Sequence, residues 1–192
     1  MKYNREWVIG KYNTTKDLQV IAFWGHTPNP KKITKACCSQ WYDCLFEVDG
    51  VQYHTTEQYM MSQKALLFGD QETCKKIMAS DNPRDYKALG RLVQHFDEKV
   101  WDQHKYDIVL RGNLAKFGQN PELWTFLNGT GDSVLVEGSP YDGIWGVNLA
   151  IDDPRIYDPN AWQGENLLGF ALMETRDILR EKQADSNDPL PG

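Results

Sequence analysis

The alternation of apolar and polar positions changes period along the chain, and each change marks an element. Gln19 to Trp24 (QVIAFW) is rich in β-branched and aromatic residues and predicts a strand. Leu45–Val48 and Val51–His54 flank Asp49-Gly50, which predicts a hairpin because a type I′ turn needs positive φ at both central residues. The next stretch, HTTEQYMMSQKALLFGD from His54 to Asp70, predicts a largely buried helix. Thr55 and Gln58 have the form of a capping box, Tyr59 to Phe68 is broadly apolar, and Gly69 offers a stop. A short amphipathic helix follows over 70–80, and Asn82-Pro83 opens another. Asp97 caps a longer helix stopped by Gly118, with Trp101, Ile108 and Ala115 spaced by sevens and Lys105 and Arg111 near the same face. Asn120-Pro121 begins a short helix ending at Gly129, and Ser133 to Glu137 (SVLVE) predicts a strand. After an irregular stretch over 152–164, a final helix places Leu168, Leu172 and Leu179 on a core stripe. The polar tail from Lys182 to Gly192 is expected to be disordered.

Composition narrows the class. With 192 residues the chain can bury a proper core, and 25% charged with 41% hydrophobic residues is ordinary for a soluble globular protein. A net charge of −6 argues against tight nonspecific binding to nucleic acid, so any phosphate needs a local basic site. No apolar run reaches transmembrane length and the start, MKYNREWVIGKYN, lacks a secretory h-region. Cys37, Cys38, Cys44 and Cys74 form no CxxC pair, which points to reduced thiols in a cytoplasmic, reducing compartment and no metal site.

Candidate chemistry concentrates in two places. Glu57 and Lys64 interrupt the apolar helix, and seven residues return them to nearly one azimuth, roughly 10 Å apart along the axis. Such groups are costly to bury unless paired or employed. A first-turn carboxylate favoured by the helix dipole, with a snorkelling lysine, fits the pattern too. The second place is GSPYDGIWG, a turn at a strand end that presents Asp142, Trp145 and Gly146. Here an Asp capping its own turn and a Trp plugging the core is the competing explanation. Trp24 and His26 fit a pocket mouth as readily as a core aromatic and a solvated histidine. Trp101 and Arg111 suit either a phosphate-bearing aromatic ligand or a helix with ordinary surface charge.

Taken together, TTEQYMMSQKALLFGD, KALGRLV, the helix closing on AKF, LVEGSPYDGIWG and GENLLGFALMETR resemble the NADAR family, which includes the YbiA-like N-glycosidases. The resemblance runs from about Val20 to Arg180, with the motifs in order. It implies an α+β fold, a mainly helical single domain with a small antiparallel β-sheet over 20–181, preceded by an N-terminal extension over 1–19 and followed by the tail. It also implies cleavage of N-glycosidic bonds to ribose, in ADP-ribosylated guanine of DNA or RNA or in ribosylamine phosphate intermediates of riboflavin synthesis. The expected substrate is ADP-ribosyl-guanine, with nucleic acid as a transient partner and no membrane or stable protein partner. A non-catalytic ADP-ribose reader is the alternative of another class, although a reader needs no nucleophile. Carried onto matching positions, Glu57, Lys64, Asp142 and Trp145 are the active-site set, with Glu57, Lys64 and Asp142 catalytic. Read from the residues themselves rather than from the resemblance, Trp24, His26, Trp101, Arg111, Trp145 and Gly146 are expected to bind substrate, the tryptophans as stacking faces and Arg111 as a phosphate ligand. No cofactor or metal is implied. The family usually has a glycine near Asn148, where this chain reads WGVN.

These residue types permit two mechanisms. In one, Lys64 attacks the anomeric carbon to form a Schiff base while Glu57 and Asp142 move protons. Burial would lower the Lys64 pKa and a close carboxylate would raise it. In the other, two carboxylates hydrolyse the bond directly and Lys64 only holds phosphate.

Overall fold

The computed structural model describes residues 1–15 and 18–187. In chain order the elements are helix α1 (Arg5–Thr15), strand β1 (Val20–Phe23), strands β2 (Phe46–Val48) and β3 (Val51–Tyr53), then helices α2 (Thr56–Leu67), α3 (Gln71–Ala79), α4 (Pro83–Gly90), α5 (Glu98–Gln119) and α6 (Pro121–Gly129). Strand β4 (Val134–Glu137) and helix α7 (Leu167–Asn187) complete them. This is the α+β, mainly helical class with a small antiparallel sheet. The chain forms two compact units, one over 25–123 and the other made of 1–24 with 124 onward.

In the unit over 25–123, the hairpin forms where Asp49-Gly50 predicts it. Asp49 takes φ 53° and Gly50 φ 77°, and the strands pair Phe46 with Tyr53 and Val48 with Val51. The chain then enters α2, capped by the Thr55 hydroxyl, which accepts from the Gln58 amide at 3.0 Å. The Gln58 side chain closes the other half of the box one residue further back, accepting from the His54 amide at 2.9 Å. Helix α2 packs against α3, α4 and α5. Phe46, Val48, Tyr53 and Tyr59 form one buried cluster, and Ala65, Ile77, Tyr86 and Val93 another. Two glycines set the helix spacing. A Cβ on Gly90 would lie 2.0 Å from Met61 Sδ, and one on Gly112 would lie 2.7 Å from Tyr59 Cδ1.

The buried face of α5 differs from the expected stripe. Val109, Gly112, Asn113, Lys116 and Phe117 are buried, whereas Ile108 and Ala115 only flank the hairpin cluster and Trp101 is half-buried. Gly118 does not stop the helix, which runs on to Gln119 because tertiary packing of that face outweighs one unfavourable propensity.

In the other unit, β1 and β4 pair in parallel, Val20 with Val134 through Phe23 with Glu137. Both strands were expected; their partnership was not. Helix α7 packs on β4, and the Asn166 side chain extends the strand's pairing, donating to Leu135 O at 2.9 Å and accepting from the Glu137 amide at 3.0 Å. Leu168 and Leu172 are fully buried and Leu179 half-buried, along the predicted stripe. The N-terminal residues carry helix α1, whose Arg5 guanidinium donates to Trp162 O. Helix α7 continues through Asn187 rather than ending before the tail, and residues 188–192 lie outside the described residues. Among the described residues no helix is long and apolar enough to cross a membrane.

A close backbone approach lies between α7 and β4, where a Cβ on Gly169 would stand 2.0 Å from Leu135 O. Gly169→Ala is therefore expected to destabilise the fold by about 1–3 kcal/mol. Gly10→Ala, in open space on α1, should instead stabilise by about 0.5–1 kcal/mol through helix propensity. Urea denaturation of both variants checks the contrast, and equal midpoints would contradict this packing.

Candidate active site

Glu57 occupies the first turn of α2, where the helix dipole favours a carboxylate. Its side chain is buried, with 4% of its surface exposed, and its amide donates to Gln40 O at 2.9 Å. The Thr56 hydroxyl donates to the same carbonyl at 3.3 Å. The hairpin, the cap and the 40–57 contact together fix this carboxylate on rigid backbone.

Lys64 lies two turns further along α2 and is half-buried. Its Nζ donates to Gly90 O at 2.8 Å. The same nitrogen lies 4.2 Å from the centroid of Phe96 and 5.6 Å from that of Trp101. The competition posed from the sequence, burial against a neighbouring carboxylate, resolves in favour of burial. Burial pushes the Lys64 ammonium below its usual 10.5 and is the dominant cause. The helix pattern singled out the lysine, but the Gly90 carbonyl and Phe96 escaped notice. Neither carries a local signal, since a carbonyl is on every residue and Phe96 sits in a polar run.

The other sequence-predicted residues of this unit are placed as follows. Trp101 faces Lys64. His26 is exposed and packs its ring 5.4 Å from that of Trp41. Arg111 is exposed and engages Asp49 with both carboxylate oxygens, at 2.6 and 2.8 Å, which ties α5 to the hairpin turn. Lys105 pairs with Asp102 at 2.7 Å. Lys116, in the AKF segment, is a buried lysine, and nothing local in the sequence marks it as one. A cavity of about 590 Å³ lined by Ile33, Tyr42, Asp43, Cys44, Asn120 and Leu123 includes none of the predicted site residues.

In the other unit, Trp24 follows β1 and is 54% exposed, so it is not the core aromatic of the alternative reading. The turn after β4 is built around Asp142. Its Oδ1 accepts from the Ile144 amide at 3.0 Å and the Trp145 amide at 2.8 Å, the self-capping arrangement the sequence left open. Trp145 is half-buried, and its carbonyl accepts from the Leu168 amide at 3.1 Å. Gly146 is buried, and a Cβ there would lie 2.8 Å from Glu137 O and 3.1 Å from Asp142 O. Asn148 adopts φ 54°, and its amide donates to Asp142 O at 3.2 Å. Asn tolerates this left-handed backbone better than other non-glycine residues. Among the described residues no group of three or more His, Cys, Asp or Glu is arranged to hold a metal ion, and the four cysteines are free thiols.

An α+β fold with a buried carboxylate and a half-buried lysine on one helix defines a class of protein that comparison with known proteins makes specific. The NADAR domain model matches residues 22–180. The chain is similar to N-glycosidase R617 of Acanthamoeba polyphaga mimivirus, with 43% identity over 157 residues, 79% of this chain and 92% of the relative. It is also similar to N-glycosidase YbiA of Escherichia coli K12, with 31% identity over 133 residues, 69% of this chain and 74% of the relative. The NMR structure of E. coli YbiA superposes with a TM-score of 0.72 at 25% identity, covering 90% of this chain and 92% of that one. The chain belongs to the NADAR family.

The left-handed backbone at residue 148 makes a sharp mutational contrast. Asn148→Gly should keep stability within about 0.5 kcal/mol, whereas Asn148→Val, with a β-branched side chain at positive φ, should lose about 1–2 kcal/mol. Thermal denaturation of the two variants checks this; an equally stable valine variant would overturn the account of the turn.

Proposed function

We propose that this chain, an N-glycosidase of the NADAR family, cleaves the bond between ADP-ribose and guanine in ADP-ribosylated nucleic acid, restoring the base and releasing ADP-ribose. The observation that supports a covalent route is the environment of Lys64: a half-buried amine, below its usual pKa, oriented by one carbonyl and two aromatic faces. Opening of the ribose ring at the glycosylated amine gives an imine at the anomeric carbon. The neutral Lys64 amine adds to that carbon, and a proton passes to the guanine amine, which departs with the electrons of its bond to carbon. Water then adds to the lysine imine and releases ADP-ribose, regenerating the amine. Glu57 is the proton carrier of this reading, placed by the first turn of α2. Asp142 belongs to the set by resemblance, and its own geometry assigns it the shaping of the loop that carries Trp145. The substrate-binding set of this reading is the one expected from the sequence, Trp24, His26, Trp101, Arg111, Trp145 and Gly146, with Arg111 exchanging Asp49 for a phosphate.

One observation favours a second, smaller substrate. The chain carries net charge −6, and two of the α5 cations, Arg111 and Lys105, are engaged by Asp49 and Asp102. A ribosylamine monophosphate of riboflavin synthesis asks for fewer phosphate contacts than a nucleic acid, and the lysine chemistry is the same.

The test gives wild type and Lys64→Ala a guanine-ADP-ribosylated oligonucleotide and, separately, a pyrimidine ribosylamine phosphate. Release of ADP-ribose from the first, reduced about 100-fold or more in the variant, is the expected result. Cleavage of only the second substrate moves the enzyme to metabolite clearance. Binding of ADP-ribose with no product from either makes it a reader. Borohydride during turnover should trap a covalent adduct at Lys64; its absence, with full activity in Lys64→Ala, leaves direct hydrolysis by carboxylates.

The pH profile has a defined sign. Because the Lys64 pKa is lowered, the neutral amine gains population at lower pH than for a free lysine. The single-turnover rate should therefore rise with pH and level off below 10.5. A rate that keeps climbing to 10.5 would mean the reacting amine is unperturbed.

A further inference from the structure

The Lys64 ammonium is held by segments outside its own helix, and the one that carries Phe96 is built with unusual care. Asp70 lies immediately after α2 and uses both carboxylate oxygens. Oδ1 caps α3 by accepting from the Thr73 amide at 2.9 Å, and Oδ2 accepts from the Gln94 amide at 2.9 Å. These amide bonds pull its pKa down to about 2, so the anchor stays ionised at any ordinary pH. His95, the next residue after Gln94, adopts φ 57°, a left-handed conformation that costs a non-glycine residue energy and persists only where its surroundings impose it. Phe96 follows. Its ring packs edge-on against Phe68 at 5.3 Å and stands 4.2 Å from Lys64 Nζ, yet 44% of it remains exposed. A core aromatic would be buried; this one is spent on covering an amine.

We propose that Phe96 is a positioning residue for Lys64: the Asp70–Gln94 anchor and the left-handed His95 set its ring over the amine, so that the ring and the Gly90 carbonyl fix where the nitrogen points and how much water reaches it. The inference deepens the functional reading and rests on Lys64 as the nucleophile. Gly90 takes part through its carbonyl, 2.8 Å from Nζ, and it packs so closely on Met61 that a side chain there would have to push the Met61 thioether aside. Phe96 touches the lysine rather than the reacting carbon, so its effect runs through the amine.

The experiment compares Phe96→Ala and Phe96→Tyr with wild type by two readouts. The first is ¹³C NMR titration of the lysine side chains, with the Lys64 signal assigned by its loss in Lys64→Ala. The second is kcat and KM on whichever substrate wild type turns over. In Phe96→Ala the Lys64 titration should depart from that of wild type, and kcat should fall on the order of 10- to 100-fold with KM changed less than about 3-fold. Phe96→Tyr keeps the ring and should restore both. Residue 96 is partly exposed, so the alanine variant should stay folded, its urea midpoint lowered only by loss of the Phe68 contact. A Lys64 titration identical in wild type and Phe96→Ala overturns the inference, as does a tyrosine variant no better than alanine. If the titration moves while Lys64→Ala keeps full activity, the positioning stands and the reading of Lys64 as nucleophile falls.

Discussion

How closely other helices can approach α2 is the constraint on which the unit over 25–123 depends. Tyr59, Met60 and Ala65 of α2 are each buried against neighbours, and two of those neighbours present a glycine at the contact. Gly112 lets α5 slide onto the Tyr59 ring, and Gly90 lets the end of α4 meet Met61. Interiors are packed to near-crystalline density, so a methyl group at either point has to displace something. The consequence is functional as well as structural. The contact at Gly90 also delivers a backbone carbonyl to Lys64, so packing and lysine geometry are set by one residue.

The sequence revealed elements better than partners. Asp49-Gly50, Thr55 with Gln58, Asn82-Pro83 and Asp97 each act locally, through a turn or cap that a few neighbouring residues complete, and each is found where its chemistry requires. The parallel pairing of β1 with β4 joins segments more than a hundred residues apart, and nothing within either strand names the other. The α5 stripe misled for a related reason. Spacing by sevens drifts around a helix of 3.6 residues per turn, and the face that packing selected runs through Val109, Asn113 and Lys116 instead. The candidate site divided in the same way. Glu57 and Lys64 stood out because they break an apolar run. Phe96, Gly90 and the Asp70–Gln94 anchor act through space, and only coordinates bring them to the lysine.

Two lysines make the point about Lys64 more sharply. Lys116 is held in much the same manner, donating to Ser39 O at 2.9 Å with the Tyr42 and Phe117 rings at 5.4 and 5.3 Å. Burial lowers its pKa as it does that of Lys64. A depressed pKa and an aromatic cradle therefore do not by themselves identify a nucleophile; access is what distinguishes the two lysines. Lys116 is completely sealed and no substrate carbon can reach it without unfolding, whereas Lys64 is only half-buried beneath a ring that itself meets solvent. A sealed lysine of this kind is a structural hydrogen-bond donor whose long stem fills volume.

The same accessibility argument bears on proton movement. A Schiff-base route needs an amine that loses its proton at working pH and a carboxylate that stays in place while protons pass. The fold separates these demands along one helix. Glu57 sits in the first turn with its backbone tied to Gln40, a rigid site, and Lys64 sits two turns on, where its position is fixed from outside the helix by a carbonyl and two rings. In the proposed mechanism, the rigid backbone at Glu57 and the side chain of Lys64, held by contacts from other segments, let the second be adjusted without disturbing the first. Substitutions in the loop that carries Phe96 would then retune the amine while α2 and its cap remain as they are.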